Sequence, residues 1–192
     1  MTNIYRVVRG LGTLLLLLLL ILASLAGWSV WNSNYHTVLP NELYRSGQLS
    51  AQQLSQHIQQ DGLHSILNLR GPDPGKPWYD TELTVARQHA VKHVDFELSA
   101  SNALGPQQLD ALVKLLHELP KPLLIHCLGG ADRTSLASAL YLYAVKGEPA
   151  PQAAKQLSIR YGHFPYLFRS DVAAMDESFQ RYVNGAPRPN TP

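Results

Sequence analysis

One segment limits the possible folds of this chain more than any other: a short apolar stretch that runs directly into HCLGGADRT. Leu123-Leu124-Ile125 precede His126 and have the pattern of a buried strand. Beyond Thr134, apolar residues recur at helical spacing as far as Gly147. A strand, a tight loop and a buried helix in direct succession are typical of an α/β domain. We therefore expect HCLGGADRT at the carboxyl end of a strand, where such sheets bind ligands.

The rest of the chain alternates between helical and extended patterns. SAQQ at residues 50–53 is a capping-box pattern, which predicts a short helix that ends at Gly62. Further predicted elements are strands at 65–69 and 91–98, helices at 78–90 and from Pro106, and two helices between 151 and 183 separated by a turn at 161–165. This alternation predicts a single α/β domain with a mainly parallel central sheet flanked by helices.

An uncharged, leucine-rich stretch occupies the N-terminal region from Leu11 to Trp31. It is longer than the apolar region of a signal peptide, usually about 7–15 residues, and Trp28 and Trp31 suit a membrane interface. We therefore predict an N-terminal hydrophobic helix that serves as a membrane anchor through residues 11–31. The small residues of Ser24-Leu25-Ala26 leave open a signal peptide that is removed by cleavage.

Charge distribution predicts the location of the remaining chain. Arg6 and Arg9 precede the apolar stretch, and the next Lys or Arg is Arg45, so the positive-inside rule leaves the N-terminus in the cytoplasm. We predict a single-pass inner-membrane protein with its folded domain in the periplasm, or a protein secreted to the periplasm after cleavage. The predicted boundaries are residues 1–31 for the anchor or signal peptide, 32–40 for a tether, 41–185 for the domain and 186–192 for a disordered tail.

The charge balance and the cysteine count limit the possible partners and disulfide bonds of the chain. The chain has 16 Lys and Arg against 14 Asp and Glu, and without Arg6 and Arg9 the two signs balance. No basic excess indicates a nucleic-acid partner. Cys127 is the single cysteine, so no internal disulfide can form.

HCLGGADRT combines features that suit attack on a phosphate group, and we call residues 127–133 the glycine loop. Gly129 and Gly130 can adopt positive φ, which lets backbone N–H groups converge on an anion at a helix N-terminus. Arg133 adds a planar fork for two phosphate oxygens. The same positive environment favours the thiolate of Cys127 as a nucleophile. The predicted phosphate-binding residues are Leu128, Gly129, Gly130, Ala131, Asp132 and Arg133.

Other side chains are predicted to support this loop. His126 would orient it by hydrogen bonds with its ring turned away from substrate, and Thr134 would bond the Cys127 sulfur or simply begin the helix. Arg45 and Arg70, each at the end of an apolar stretch, are predicted to brace the loop from behind, with surface charges as the alternative. The side chains in YGHF, namely Tyr161, His163 and Phe164, either pack in the core or line the rim of the site.

These nine residues match HCxxGxxR[ST], the signature of cysteine-based protein tyrosine and dual-specificity phosphatases. LYRSGQ at 43–48 and ILNLR at 66–70 resemble segments of the atypical members, and the chain is similar to bacterial periplasmic tyrosine phosphatases. The resemblance covers about residues 39–145. It implies a phosphatase that hydrolyses phosphate monoesters through a phosphocysteine on Cys127, without metal or cofactor. The implied substrate is a phosphorylated protein or a small phosphate ester.

The resemblance also implies a general acid, usually an aspartate on a separate loop. SASN at residues 99–102, where that loop is expected, contains no carboxylate. Asp132 is our first candidate for the acid, followed by Asp95 and then Asp73. The missing loop aspartate leaves open a catalytically weak phosphate-binding module. A phosphatase of envelope lipid or sugar phosphates and a sulfurtransferase-like enzyme are further alternatives.

Overall fold

A computed structural model describes residues 11–18, 20, 33–165 and 170–185, and the chain divides into two compact units, residues 1–33 and residues 34–192. In the first unit, residues 11–18 and 20 are helical with exposed side chains. No helix in the described part of the chain is long and apolar enough to cross a membrane. Most of the anchor predicted for residues 11–31, the cleavage site and the tail at 186–192 lie outside the described residues, so these stay predictions.

The second unit is built on a five-stranded sheet. Its strands are β1 (His36–Leu39), β2 (Leu43–Ser46), β3 (Ser65–Asn68), β4 (Lys92–Asp95) and β5 (Leu123–His126), in the order β1-β2-β5-β3-β4. The β2–β5, β5–β3 and β3–β4 pairs are parallel, and β1 runs antiparallel to β2. The predicted α/β fold with a mainly parallel central sheet is confirmed.

Helices cover both faces of this sheet. They are α1 (Ala51–Asp61), α2 (Pro77–Gln88), α3 (Pro106–Glu118), α4 (Asp132–Leu140), the short α5 (Ala150–Ala153) and α6 (Ala173–Gly185). Successive residues of β5 face opposite sides. Ile125 packs in a core with residues of α3, α4 and α6, whereas Leu124 packs in a second core with residues of α1 and α2.

Local signals account for where two helices begin and end. The Ser50 hydroxyl accepts from the Gln53 N–H at 3.2 Å, and the Gln53 side chain accepts from the Ser50 N–H, so the predicted capping box of α1 is confirmed. Gly62 ends α1 in the left-handed region at φ +62°. Pro106 is the first residue of α3, a position that needs no N–H donor.

Two sequence predictions need correction. The tether predicted for 32–40 is wrong for His36–Leu39, which form β1 and pair with β2. This edge strand is four residues long and only partly buried, so its sequence carries no clear alternation. The strand predicted for 91–98 spans only Lys92–Asp95, although the Phe96 and Leu98 N–H groups still donate to the Asn68 and Leu69 carbonyls at 2.9 and 3.3 Å.

The remaining boundaries differ by a few residues. The helix predicted for 78–90 spans Pro77–Gln88, and the helix that follows the glycine loop continues beyond α4 as a π-helical turn, Tyr141–Val145. Of the two helices predicted in the tail, α5 has four residues and leads into 3-10 turns, while α6 is a full helix.

Candidate active site

The glycine loop begins where three parallel strands end. Cys127 directly follows β5, and the chain turns through residues 128–131 into α4. The Leu69 N–H, just after β3, donates to the His126 carbonyl at 2.9 Å, and the Gln48 N–H, just after β2, donates to the Leu128 carbonyl at 3.0 Å. The neighbouring strand ends therefore hold the start of the loop on both sides. Cys127 is a free thiol and only 3% exposed.

The loop passes very close to the backbone after β2. Gly130 has φ +68°, and a Cβ at this position would lie 2.5 Å from Gly47 N and 2.6 Å from the Ser46 carbonyl carbon. Gly129 is not among the positive-φ residues, and a Cβ there would meet nothing within 4 Å. Both glycines were expected to use their conformational freedom, but only Gly130 adopts positive φ.

Arg45 lies behind the loop with no exposed surface. Its Nη2 donates to the Gly130 carbonyl and to Ser135 Oγ, each at 2.8 Å, and Nη1 donates to Gln156 Oε1 at 2.8 Å. Its guanidinium also stacks 3.8 Å from the centre of the Tyr161 ring. Burial lowers the pKa of Arg45 to about 10, against the opposing effects of Tyr161 and Cys127, so Arg45 stays charged at neutral pH.

A cavity of about 410 Å³ opens above Cys127. Its lining residues come from the glycine loop and two other segments: Ala100, Cys127, Leu128, Gly129, Ala131, Asp132, Arg133, Gly162, Phe164 and Val172. Leu128 is 61% exposed at its mouth. Two other cavities, of about 500 and 710 Å³, include no residue of the glycine loop. The cysteine, the arginine and the loop backbone predicted to act together thus share one cavity.

Backbone carbonyls hold the Arg133 side chain in place. Its Nη1 donates to the Leu69 and Leu98 carbonyls, each at 3.3 Å. These carbonyls belong to the segments just after β3 and β4, so the arginine is anchored by the strand ends that surround the cavity. The described residues include no group of three or more His, Cys, Asp or Glu that could hold a metal ion.

The three acid candidates lie in different surroundings. Asp132 lines the cavity, and its Oδ1 accepts from His163 Nδ1 at 2.7 Å. Asp95 accepts from Asn68 Nδ2 at 2.7 Å and from the Tyr79 hydroxyl at 2.5 Å, and does not line the cavity. The carboxylate of Asp73, also outside the lining, accepts from the indole nitrogen of Trp78 at 3.3 Å. Only Asp132 therefore shares the cavity with Cys127.

His163 connects Asp132 to a second carboxylate. Its Nε2 donates to Asp176 Oδ2 at 2.9 Å, and its side chain is 1% exposed. Burial alone would lower the pKa of His163, but the hydrogen bonds to Asp132 and Asp176 and their charges raise it to about 9. The imidazole is therefore protonated at neutral pH and donates from both nitrogens.

The sequence profile of the tyrosine phosphatase family matches residues 25–150, about two thirds of the chain. The chain belongs to the tyrosine phosphatase family. Its members are cysteine-dependent hydrolases of phosphoric monoesters. None of the curated proteins matches this chain.

Several solved structures are similar to this chain in fold. TpbA from P. aeruginosa is 23% identical, with a TM-score of 0.54 over 80% of this chain and 85% of its own. A Cys-to-Ser variant of TpbA in complex with phosphotyrosine is 21% identical, with a TM-score of 0.55 over 80% of this chain and 92% of its own. The catalytic core of the PP-IP phosphatase Siw14 from S. cerevisiae is 22% identical, with a TM-score of 0.56 over 79% and 91%.

One wall of the cavity departs from what the resemblance to this family implies. Residues 99–102 were expected to begin the acid-bearing loop, and from this segment it is Ala100 that lines the cavity. The group that this segment presents to the cavity is therefore a methyl group and not a carboxylate. Asp132 is the carboxylate that faces the cavity in the described part of the chain.

A buried carboxylate that the sequence analysis missed lies on the inner side of the loop. Glu82 accepts from His126 Nε2 at 3.1 Å, from His93 Nε2 at 2.8 Å and from Gln48 Nε2 at 2.6 Å. Burial alone would raise the pKa of Glu82, but the charge and hydrogen bond of His126, with the other two donors, hold it well below its usual range. The helical spacing of the sequence could have predicted that Glu82 is buried, because this residue shares the buried face of α2 with Tyr79 and Val85.

Two predicted supporting contacts differ in the structure. Arg70 donates to Gln48 Oε1 at 2.7 Å and stacks 3.4 Å from the Trp78 ring centre, and neither of these partners belongs to the glycine loop. Thr134 Oγ1 is buried and has no hydrogen-bond partner among the described residues, so the predicted bond to the Cys127 sulfur is not formed. The ring of His126 points toward Glu82, away from the cavity.

Proposed function

We propose that this chain hydrolyses phosphate monoesters of the phosphotyrosine type through a phosphocysteine intermediate. Cys127 Sγ attacks phosphorus, forms the S–P bond and displaces the leaving-group oxygen. Water then attacks the phosphocysteine, breaks the S–P bond and releases inorganic phosphate and the Cys127 thiolate. The observation that carries the proposal is the position of Cys127 and Arg133 in one cavity at the N-terminal end of α4.

Electrostatic stabilisation comes from groups that are already in place. The backbone N–H groups at the start of α4 and the Arg133 guanidinium would hold the equatorial oxygens of the phosphoryl group. Arg133 is prealigned by the Leu69 and Leu98 carbonyls, so little reorganisation is needed when the phosphate arrives. Buried Arg45 holds the Gly130 carbonyl and so fixes the curvature of the loop.

The lining of the cavity supports an aryl phosphate as substrate. Leu128, Phe164, Val172 and Ala100 supply apolar surface around the reaction centre, which suits an aromatic ring on the ester oxygen. The complex of TpbA with phosphotyrosine supports the same substrate class in a protein of this fold. Asp132, as the carboxylate in the cavity, would protonate the leaving oxygen.

We further propose that residues 11–31 anchor the protein in the inner membrane with the catalytic unit in the periplasm. The proposal is supported by Arg6 and Arg9 before the uncharged stretch and by the absence of Lys and Arg until Arg45. A reporter enzyme that is active only outside the cytoplasm should be active when it is fused to the C-terminus of this chain. The fusion protein should also sediment with membranes. Recovery in the soluble periplasmic fraction, with a mature N-terminus after Ala26, would favour the secreted alternative.

The catalytic proposal is tested with the full chain purified in detergent. We expect hydrolysis of p-nitrophenyl phosphate and of a phosphotyrosine peptide, loss of both activities in Cys127→Ser, and a decrease in Arg133→Lys of about 100-fold or more in kcat/KM. Acid quenching during turnover of a ³²P-labelled ester should leave label on the wild-type protein and none on Cys127→Ser. Binding of phosphate esters without turnover would instead indicate the phosphate-binding module, and turnover of thiosulfate the sulfurtransferase.

A further inference from the structure

Asp132, His163 and Asp176 form one hydrogen-bonded chain that leads away from the catalytic cavity. Asp132 lines the cavity that contains Cys127, and His163 Nδ1 donates to it at 2.7 Å. On the other side, His163 Nε2 donates to Asp176 at 2.9 Å. Asp176 lines a different cavity, of about 710 Å³, and its side chain is 29% exposed. The imidazole thus lies between the catalytic cavity and a second, more open one.

We propose that His163 stores the catalytic proton and that Asp132 relays it to the leaving-group oxygen. This inference rests on the proposed function, because it takes the reaction to be phosphoryl transfer to Cys127. It goes beyond that function by assigning a proton source to the Asp132 carboxylate. Asp176 has a positioning role, since it holds the imidazole in its doubly protonated form.

The proposal resolves a conflict between the position of Asp132 and its chemistry. A general acid must carry a proton at the working pH, and a carboxyl group of ordinary acidity is ionised near neutral pH. In this cavity Nδ1 of the buried His163 lies 2.7 Å from the Asp132 carboxylate and is placed to supply it with a proton. A buried imidazolium between two carboxylates is a proton donor that solvent does not compete for.

The step balances over the full catalytic cycle. The Nδ1 proton of His163 first moves to the Asp132 carboxylate, and the carboxyl group so formed donates this proton to the leaving oxygen as the P–O bond breaks and its electron pair stays on that oxygen. His163 is then neutral, with its remaining proton on Nε2 toward Asp176. In the second step, Asp132 accepts a proton from the water that attacks phosphocysteine and returns it to His163 Nδ1. One ester and one water are consumed, and one alcohol and one phosphate are released.

The charged groups that face His163 in the described part of the chain are few. Asp132 approaches from the start of α4 and Asp176 from α6, and these are the groups that raise its pKa to about 9. Cys127 and Arg133 lie beyond Asp132, in the lining of the cavity. The proton stored on His163 should therefore be lost only in alkaline solution.

The dependence of rate on the leaving group separates a relay from a structural role. With the full chain in detergent, kcat/KM is measured for 2,4-dinitrophenyl phosphate, which needs no acid, and for phenyl phosphate, which does. In His163→Asn we expect a decrease of at least about 10-fold for phenyl phosphate and less than about 3-fold for the dinitrophenyl ester. Asp132→Asn should give the same pattern. The double variant of Asp132→Asn and His163→Asn should lose no more kcat/KM for phenyl phosphate than either single variant.

His57→Asn is the matched control. His57 Nδ1 also donates to a carboxylate, Asp61, at 3.0 Å, but this pair lies on α1 and outside the cavity. The control should leave both kcat/KM values unchanged. If His163→Asn does not fold, Asp176→Asn replaces it. For phenyl phosphate the alkaline limb of its pH–rate profile should then move to lower pH, because the charge that favours the imidazolium is gone.

Three results would overturn the relay. The first is an equal loss for both esters in His163→Asn, which would make His163 a structural clamp. The second is a leaving-group effect in Asp132→Asn but none in His163→Asn. The third is an alkaline limb that Asp176→Asn does not move. Failure of the proposed function is distinguishable, because Cys127→Ser would then still hydrolyse the dinitrophenyl ester.

Discussion

Gly130 and Gly47 approach so closely that a Cβ on Gly130 would lie 2.5 Å from the Gly47 backbone nitrogen. The backbone φ of +68° at residue 130 is also unfavourable for any residue other than glycine. Gly130→Ala should therefore push the glycine loop away from the end of β2. We expect the free energy of unfolding to fall by about 1–3 kcal/mol and kcat/KM for p-nitrophenyl phosphate to fall by about 100-fold.

Gly129→Ala is the matched control for this prediction. The new methyl group has no atom within 4 Å, and Gly129 does not need positive φ. Its free energy of unfolding in urea should change by less than about 0.5 kcal/mol. Equal destabilisation by the two variants would show that the contact between residues 130 and 47 does not determine the shape of the loop.

Arg45 contributes to stability and activity through the same loop. Arg45→Met leaves the Gly130 carbonyl, Ser135 and Gln156 without their donor in a buried region, so we expect a loss of about 2–4 kcal/mol in unfolding free energy. Orthovanadate, a phosphate mimic, should inhibit any folded variant more weakly because the loop is no longer held. Arg45→Lys keeps the positive charge but loses the planar guanidinium, so its inhibition by orthovanadate should lie between that of the wild type and that of Arg45→Met. Unchanged inhibition in Arg45→Met would exclude this bracing role.

The part of the site that follows from sequence is the part encoded locally. HCLGGADRT lies between β5 and α4 as its pattern predicts, and the capping box of Ser50 and Gln53 starts α1. In both cases residues close together in the chain determine their own geometry. A strand that leads into a glycine turn and a helix needs no distant partner to be recognised.

The part that was missed depends on residues far apart in the chain. Glu82 meets His126 across 44 positions, and His163 meets Asp132 across 31. No local pattern encodes such contacts, because the side chains become neighbours only when the sheet and its helices have packed. β1 was missed for a similar reason, since this edge strand is defined by its pairing with β2.

The buried carboxylate of Glu82 makes stability depend on pH. Its pKa in the folded protein is held below its usual value of about 4.5, so the stabilisation is present above that pH and is lost as the pH falls below it. The wild-type protein should therefore lose unfolding free energy between pH 7 and pH 3.5. Glu82→Gln should be less stable at pH 7 but lose less over the same interval.

Urea unfolding at pH 7, 5, 4 and 3.5 measures this difference. Asp80→Asn is a suitable control, because Asp80 is exposed on the same helix and its substitution removes one carboxylate without touching His126. Parallel pH profiles for the wild type and Glu82→Gln would mean that Glu82 is not the group responsible.

Ala100 offers a gain of function that tests the acid assignment directly. Its methyl group lines the cavity in the segment where the resemblance places the usual aspartate, so Ala100→Asp should present a carboxyl group to the leaving oxygen. In the Asp132→Asn background and at about pH 5, where an ordinary carboxyl group is still partly protonated, Ala100→Asp should raise kcat/KM for phenyl phosphate by about 10-fold or more and leave that for the dinitrophenyl ester almost unchanged. Ala100→Asn has nearly the same shape but no acidic proton, and should give no rescue. A rescue of equal size by asparagine would assign the effect to packing, and the absence of any rescue would mean that residue 100 does not reach the leaving oxygen.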